Sequence, residues 1–300
     1  MIKNFAELLE AAKLQKRMKI VVAAAQDDDV IKAVSQAKEI GLAEPVLVGD
    51  EAKIKEIMEK LGLNSSDYEI INEPDMIQAA RKSVELVRNG KGDFLMKGLL
   101  QTADIMRAVL DKEIGLRTEN LISHVMVYEV PTYNKLIYLT DGGMAVAPDL
   151  EQKVQILENA ITVCKAMKMD KIYASCLAGA ETVNPKIPAT VDAKAIADMK
   201  DKWDAYNVSV QGPVALDLAI SPEACAHKGY KGEGAGKADI LLVPYYEVGN
   251  ALGKSLNYFA GAKSAGVIMG AKVPIVLVSR ADSSESKLLS IALGSIIANN

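Results

Sequence analysis

The first 140 residues of the chain alternate between short apolar runs and longer amphipathic stretches. Runs rich in Val, Ile and Leu predict strands that are covered on both faces, and helical periodicity follows them. Gly41, Gly62 and Gly90 mark the ends of three predicted helices. The predicted strands span 20–25, 45–48, 68–71 and 94–96, and the predicted helices span 29–40, 53–61 and 76–89. This alternation predicts a mostly parallel sheet with helices on both faces.

The alternation changes after residue 120. Two strand-like runs, 122–129 and 135–140, flank the turn sequence Pro-Thr-Tyr-Asn and predict an antiparallel hairpin. The later predicted elements are a helix at 150–169, strands at 171–175, 208–210, 240–243 and 275–278, and a last helix at 283–297. We therefore predict an α/β fold of two domains, each a mostly parallel sheet flanked by helices. The first domain would contain residues 1–146 plus 281–300, and the second would contain residues 147–280.

Composition narrows the possible functions. The chain has 300 residues, a net charge of −4 and 5% aromatic residues, which gives no reason to expect binding to nucleic acid or to an anionic membrane. Cys164, Cys176 and Cys225 are too few and too scattered for a disulfide framework or a zinc knuckle. The N-terminal stretch has the pattern of an amphipathic helix and lacks the apolar core of a signal peptide. We expect a cytoplasmic protein.

Polar side chains follow two of the predicted buried strands, at the strand ends where open α/β sheets bind ligands. They are Pro244, Glu247, Asn250 and Lys254 after strand 240–243, and Ser279 and Arg280 after strand 275–278. An arginine at such a place can bind a phosphate or a carboxylate through two parallel hydrogen bonds. A turn with a surface ion pair at Arg280, and capping of a helix by Asn250, also explain the pattern. Both interpretations stay open.

Further candidate residues lie at or after three other predicted strands. They are Lys97 and Gly98, with Thr102 and Arg107 on the helix that follows, Asp141 before two glycines, and Asp217 after strand 208–210. Gly98 permits a close approach of the backbone to a ligand, and Thr102 can donate to a phosphate. A solvated helix face is the simpler interpretation of Thr102 and Arg107. Asp141 can cap, position a substrate or bind a metal, and Asp217 is equally explained as a structural acid.

Five motifs occur in the order and spacing of one known family. They are KGLLQTADIMRAVLD at 97–111, TDGGMAVAPDLEQK at 140–153, GPVALDLAIS at 212–221, ADILLVPYYEVGNALGK at 238–254 and PIVLVSR at 274–280. By these motifs, which extend over nearly the whole chain, the sequence resembles the phosphate acyltransferases, the family of phosphate acetyltransferases and phosphate butyryltransferases. The motif at 212–221 and the compact length are most similar to the butyryltransferase branch.

The resemblance implies the reaction acyl-CoA + phosphate ⇌ acyl phosphate + CoA, by direct attack in a ternary complex, with butyryl-CoA or a similar short-chain acyl-CoA. It implies that CoA and phosphate are substrates and that no metal or redox cofactor takes part. Ser279 would stabilise the tetrahedral oxyanion, and Arg280 and Arg107 would bind phosphate groups. The resemblance further implies a homodimer or a higher homo-oligomer. It also implies an architecture similar to that of isocitrate/isopropylmalate dehydrogenase, with the site in a cleft between the domains.

One position departs from the acetyltransferase branch, in which an Asp seven residues after the Ser is the proposed base for the CoA thiol. Ser286 stands there in this chain, with Asp282 and Glu285 nearby. We therefore leave the base unassigned. Two alternatives remain open at this point: a metal- and NAD-dependent dehydrogenase of the isocitrate/isopropylmalate type, and a non-catalytic acyl-CoA-binding protein.

Overall fold

The computed structural model describes residues 1–280 and 282–300, which form two compact units. The terminal unit contains Phe5–Asn120 and Ala265–Asn300. The middle unit contains Met1–Asn4 and Leu121–Ser264. Ala281, which the sequence prediction placed in the first domain, lies outside the described residues.

The strands of the terminal unit form a mostly parallel array. The parallel strands are β1 (Met18–Ala23), β2 (Ala43–Gly49), β3 (Glu69–Asn72), β4 (Phe94–Lys97) and β11 (Ile275–Val276). Their order is β3-β2-β1-β4-β11, and β10 (Lys263–Met269) pairs antiparallel with β11. The side chains of β4 are buried throughout, as expected for a central strand of a parallel sheet.

Helices cover the strands of the terminal unit. They are α1 (Phe5–Lys13), α2 (Asp28–Glu39), α3 (Glu51–Lys60), α4 (Met76–Arg88), α5 (Thr102–Val109) and α12 (Ser284–Ala298), with a short 3-10 helix at Ser65–Asp67. Asp27, Asp50 and Asp75 cap three of these helices by accepting hydrogen bonds from backbone N–H groups of the first turn. Helix α12 packs against α1 and α2, and α4 packs against α5.

The strands of the middle unit are parallel except for one hairpin. They are β5 (Ser123–Glu129), β6 (Ile137–Thr140), β7 (Ile172–Leu177), β8 (Val208–Val214) and β9 (Ile240–Leu242), in the order β5-β6-β9-β7-β8. Strands β5 and β6 pair antiparallel, which confirms the predicted hairpin, whereas β6, β9, β7 and β8 are parallel.

The helices of the middle unit are α6 (Leu150–Ala166), α7 (Pro188–Asp198), α8 (Lys200–Asp204), α9 (Leu216–Ile220), α10 (Pro222–Lys228) and α11 (Tyr246–Tyr258). Helix α6 begins with a capping box, in which Asp149 and Gln152 each accept a hydrogen bond from the backbone N–H of the other. It packs on β5, β6 and β9, and α7 packs on β7 and β8. The predicted α/β fold, with mostly parallel strands flanked by helices, is therefore confirmed.

The boundaries of the two units differ from the predicted domain boundaries at residues 146 and 280. The predicted hairpin was assigned to the first domain, but β6 pairs with β9 and so belongs to the middle unit. The predicted strand 275–278 was assigned to the second domain, but β11 pairs with β4 and so belongs to the terminal unit. Both placements are decided by which strands pair with each other. The paired strands are far apart in the sequence, so the order of elements along the chain does not predict the pairing.

Within the described part of the chain, no helix combines the length and the apolar character needed to span a bilayer.

Candidate active site

Strand β4 ends in a buried lysine followed by a tightly packed glycine. Lys97 is only 5% exposed, and its Nζ donates hydrogen bonds to the carbonyl oxygens of Gly98 at 3.2 Å and Leu100 at 3.1 Å. The Gly98 N–H donates to the carbonyl oxygen of Ala23 at 2.8 Å. A Cβ at Gly98 would lie 2.2 Å from the carbonyl oxygen of Ala24, so this close approach requires glycine. These hydrogen bonds and the close backbone packing at Gly98 hold the buried ammonium of Lys97 at the carboxyl end of β4.

The predicted catalytic pair lies exposed in the segment after β11. Arg280 Nη2 donates to Gln101 Oε1 at 2.6 Å, and Gln101 is the residue before α5. The backbone N–H of Ser279 donates to Asp282 Oδ2 at 2.8 Å. A guanidinium carries five N–H donors, so the contact with Gln101 orients Arg280 and still allows it to bind an anion. Asp282, one of the two acids noted near Ser286, uses a carboxylate oxygen to accept this hydrogen bond from the backbone of Ser279.

A second buried lysine, which the sequence reasoning missed, lies close to this pair. Lys287 of α12 is 3% exposed, and its Nζ donates to the carbonyl oxygen of Asp282. A lone lysine followed by an almost unbroken apolar run, LLSIALGSII, was the signal that could have revealed it. Ser286 lies in the first turn of α12, where its backbone N–H donates to the hydroxyl of the cap residue Ser283 at 3.3 Å.

The pKa of Lys97 is affected by the cations around it. The pKa of Lys97 is lowered from its usual value of 10.5 to about 8, mainly by burial and in smaller part by the positive charges of Arg280 and Lys287. The carboxylates of Asp27 and Asp282 act in the opposite direction. Arg280, which follows β11, and Lys287 of α12 thus both add positive charge around Lys97 at the carboxyl end of β4.

The two candidates on α5 have different surroundings. Thr102 is the first residue of α5 and directly follows Gln101, the partner of Arg280. Arg107 lies in the last turn, where its side chain is 68% exposed and its Nη1 bonds Asp104 Oδ1 at 2.9 Å. Arg107 therefore forms a surface ion pair, whereas Thr102 starts a helix next to the anchored guanidinium.

Asp141 follows β6 in the middle unit and is almost completely enclosed by the backbone. Its Oδ1 accepts hydrogen bonds from the N–H groups of Gly143 at 2.7 Å and Met144 at 2.8 Å. Its Oδ2 accepts from the N–H of His124 at 2.9 Å and, more weakly, of Ala145 at 3.3 Å. Asp141 is only 2% exposed, so its carboxylate shapes the loop after β6. Of the three interpretations offered from sequence, this geometry favours the capping one.

The loop after β6 is held against α11. A Cβ on Gly142 would lie 2.5 Å from the carbonyl carbon of Gly249, and a Cβ on Gly249 would lie 2.7 Å from Gly142 Cα. The Asn250 amide donates to the carbonyl oxygen of Gly142 at 3.3 Å. The expectation that Asn250 caps a helix is wrong, because α11 already begins at Tyr246 and Asn250 lies inside it. The Gly-Asn pair instead allows the helix and the loop to touch.

The remaining candidates are spread over the middle unit. Pro244 lies between β9 and α11, and Glu247 and Lys254 are exposed on α11 at a spacing that places them on one helix face with Asn250. Asp217 lies on α9, where its half-exposed carboxylate pairs with Lys228 at 3.0 Å. The hydrogen bond from Lys228 lowers the pKa of Asp217. The surface ion pair supports the interpretation of Asp217 as a structural acid.

Some of the candidates therefore form a group within each unit, whereas Arg107 and Asp217 form separate surface ion pairs. In the terminal unit, Lys97, Gly98 and Arg280 lie at the same ends of neighbouring strands, with Lys287 added by the structure. In the middle unit, the Asp141 loop contacts α11 near Asn250. The cationic group suits phosphate, because Arg and Lys donors make short, charge-assisted hydrogen bonds to anionic oxygens. Among residues 1–280 and 282–300, no cluster of three or more His, Cys, Asp and Glu side chains could hold a metal ion.

Comparisons with known proteins identify relatives over the full length. The profile of the family described as "Phosphate acetyl/butaryl transferase" matches residues 4–81 and 75–295. The "Phosphate butyryltransferase" of Clostridium acetobutylicum is 44% identical over 300 residues, which is 100% of both chains. The "Phosphate acetyltransferase" of Thermotoga maritima is 42% identical and covers 97% of this chain and 99% of its own.

A solved protein structure also matches this chain over nearly its whole length. The crystal structure of a branched-chain phosphotransacylase from Enterococcus faecalis matches with a TM-score of 0.84 and 33% sequence identity. It covers 94% of this chain and 99% of its own. The resemblance carried by the five motifs is thereby confirmed, and the chain belongs to the phosphate acetyl/butaryl transferase family.

Proposed function

We propose that this protein is a phosphate acyltransferase that catalyses acyl-CoA + phosphate ⇌ acyl phosphate + CoA. The observation that carries the proposal is the cationic group formed by Lys97 at the end of β4, Arg280 in the segment after β11, and Lys287 of α12, which bonds the carbonyl oxygen of Asp282. It occurs in a chain whose full-length relatives are named for acyl transfer to phosphate. The comparisons support neither the dehydrogenase nor the non-catalytic alternative.

The reaction requires no covalent bond to the enzyme. A phosphate oxygen attacks the thioester carbonyl carbon and forms a new C–O bond, a tetrahedral oxyanion develops on the carbonyl oxygen, and the C–S bond then breaks. The proton of the hydrogen phosphate dianion passes to the departing CoA sulfur, so that the products are an acyl phosphate dianion and the CoA thiol. The enzyme's tasks are to bring two anionic substrates together and to stabilise the oxyanion.

The residues at the end of β4 and after β11 fit these tasks. Arg280, anchored through Gln101, would bind a phosphate group through its remaining donors. The Ser279 hydroxyl would donate to the oxyanion. Lys97 would add charge from a fixed and largely dehydrated position, where an electrostatic interaction is stronger than in water. Glu247, Asn250 and Lys254 on α11, together with Pro244, remain candidate contacts to the substrate.

Several finer points belong to the proposal. The substrate would be butyryl-CoA or a similar short-chain acyl-CoA, and the protein would be a cytoplasmic homodimer or higher homo-oligomer. A likeness to the isocitrate/isopropylmalate dehydrogenase architecture stays a prediction. The base for the CoA thiol stays unassigned, because Ser286 occupies the position where the acetyltransferase branch has Asp.

A thiol-release assay tests the function. The protein is incubated with acetyl-, propionyl-, butyryl- and longer acyl-CoAs, with and without phosphate, and free CoA is titrated. We expect CoA release that depends on phosphate and is highest for a short-chain substrate. Release without phosphate would indicate a thioesterase, and binding of CoA without any release would indicate a non-catalytic protein. Either of these results would overturn the proposal.

A further inference from the structure

Helix α12 of the terminal unit carries a buried charge near its start. Lys287 is 3% exposed, and every residue from Leu288 to Ile297 is buried after it. Among the residues that the structure describes, Lys287 forms no ion pair, and its Nζ donates to the neutral carbonyl oxygen of Asp282. Burying an ammonium without a carboxylate partner lowers the stability of a protein. Stability therefore does not account for a lysine at this position.

The hydrogen bond from Lys287 reaches the segment that carries the predicted catalytic pair. Asp282 is joined to Ser279 by two further hydrogen bonds. The N–H of Asp282 donates to the carbonyl oxygen of Ser279 at 3.1 Å, and Asp282 Oδ2 accepts from the N–H of Ser279 at 2.8 Å. Because Lys287 holds the carbonyl oxygen of the same aspartate, only one residue lies between the buried ammonium and the backbone of Ser279.

Helix α12 gives these hydrogen bonds a firmly packed base. It packs against α1 and α2 and also against the strands β4 and β11. Strand β4 ends at Lys97, and β11 leads into the segment with Ser279. Functional groups that are held by packed helices and strands keep their geometry better than groups on unsupported loops. The contact with α12 therefore holds the backbone of Ser279 to the same packed elements that carry Lys97.

We propose that Lys287 and Asp282 are positioning residues, which hold Ser279 and Arg280 in the geometry that acyl transfer requires. Lys287 acts through Asp282, because its buried Nζ is bonded to the backbone of that residue. Asp282 acts on Ser279 directly, through its carboxylate oxygen. Misplacing a reacting group by about 1 Å can cost on the order of 10²-fold in rate, so such supports matter for catalysis. This inference rests on the proposed function.

The two positioning residues also have opposite electrostatic effects on Lys97. Burial is the main cause of the lowered pKa of Lys97, the charges of Arg280 and Lys287 lower it too, and those of Asp27 and Asp282 raise it. Removing the charge of Lys287 should therefore raise the pKa of Lys97, and removing the charge of Asp282 should lower it. Loss of packing alone does not predict two shifts of opposite sign.

Two variants of Asp282, which is partly exposed, test the direct contact. Asp282→Ala removes the acceptor of the Ser279 N–H, whereas Asp282→Asn keeps an acceptor oxygen without the charge. We expect kcat for CoA release to fall about 10-fold or more in Asp282→Ala and to stay within about threefold of the parent in Asp282→Asn. The rise of the KM for phosphate with pH should move to lower pH in Asp282→Asn. Equally large losses of kcat in both variants would overturn the positioning role.

Lys287→Met tests the buried ammonium, because methionine has a similar length and no charge. Ile296→Val, at a fully buried position of the same helix, is the control for lost packing alone. We expect kcat to fall about 10-fold or more in Lys287→Met and the rise of the KM for phosphate to move to higher pH, with neither change in Ile296→Val. If Lys287→Met does not fold, the two Asp282 variants decide the question.

A folded Lys287→Met with the kcat and the pH profile of the parent would overturn the inference while leaving acyl transfer intact. A parent protein that transfers no acyl group to phosphate would instead overturn the proposed function, and this inference with it.

Discussion

The guanidinium of Arg280 donates a hydrogen bond to the side chain of Gln101, the residue before α5. Its positive charge also contributes to the lowered pKa of Lys97. If Arg280 binds the phosphate that reacts, Arg280→Ala should lower kcat/KM by about 10²-fold or more, the scale of losing one key donor to the transition state. Steady-state CoA release at varied phosphate concentration measures this loss.

Arg81→Ala is the control for Arg280→Ala, because Arg81 forms a partly exposed ion pair with Asp111 at 3.1 Å. A surface pair of this kind contributes only about 0–1 kcal/mol to stability. We expect this control to keep nearly parental kcat/KM. Nearly parental activity in Arg280→Ala would remove Arg280 from the proposed site.

The lowered pKa of Lys97 predicts how phosphate binding depends on pH. Below about pH 8 the ammonium is charged and can attract phosphate, and above it Lys97 loses its proton. We therefore expect the KM for phosphate to rise as the pH increases through 8. The Lys97→Arg variant keeps a positive charge at residue 97 at every accessible pH. The KM of this variant for phosphate should therefore rise less over the same pH range. Identical pH profiles of KM in the two proteins would contradict a role for the Lys97 charge.

At the scale of elements, the contact between α11 and the loop after β6 depends on two glycines. A Cβ at Gly142 or Gly249 would meet backbone atoms within 2.5–2.7 Å, and backbone cannot move aside as a flexible side chain can. Gly142→Ala or Gly249→Ala should therefore lower the free energy of unfolding by about 1–3 kcal/mol, the usual effect of overpacking. Chemical denaturation of each variant measures the change.

Gly179→Ala is the matched control for these two substitutions, because a Cβ at Gly179 would have no atom within 4 Å. We expect a change within about 0.5 kcal/mol there, as for most surface substitutions. Equal stability of all three variants and the parent would mean that the loop and α11 are not held together by this contact.

Periodicity predicted the elements of the terminal unit well, because the signals there are local. Helices α2, α3 and α4 begin at an Asp cap and are followed by a glycine with positive φ, and such ends can be seen in the sequence. Strand β10 was missed, since its sequence KSAGVIM has small residues where an apolar run was sought. Helices α9 and α10 were missed as well, because five to seven residues are too few to show a period.

The candidate site could be predicted from sequence only in part, because its side-chain contacts are not local in the chain. A sequence shows which polar residues follow a strand, and this was enough to select Lys97, Ser279 and Arg280. It does not show what each side chain touches. Asp141 is occupied by four backbone N–H groups, and Arg107 forms a surface ion pair. These contacts, like the hydrogen bond from Lys287 to the carbonyl oxygen of Asp282, depend on the tertiary fold.

At the scale of the whole molecule, the chain leaves the terminal unit after Asn120 and returns to it at Ala265. This return brings β11 beside β4 and so places Arg280 near Lys97, although 183 residues separate them in sequence (280 − 97 = 183). The middle unit contributes the candidates on α11 and the loop after β6 that contacts this helix. Transfer between two anionic substrates is the activity that gives each of these groups a role.

The central claim is that phosphate accepts the acyl group, and the yield of acyl phosphate tests it most directly. Butyryl-CoA and phosphate are mixed with the protein, and acyl phosphate is measured by phosphorus NMR while free CoA is titrated in the same sample. We expect one acyl phosphate to form for each CoA released. Release of CoA without formation of acyl phosphate, or the absence of both products, would contradict the claim.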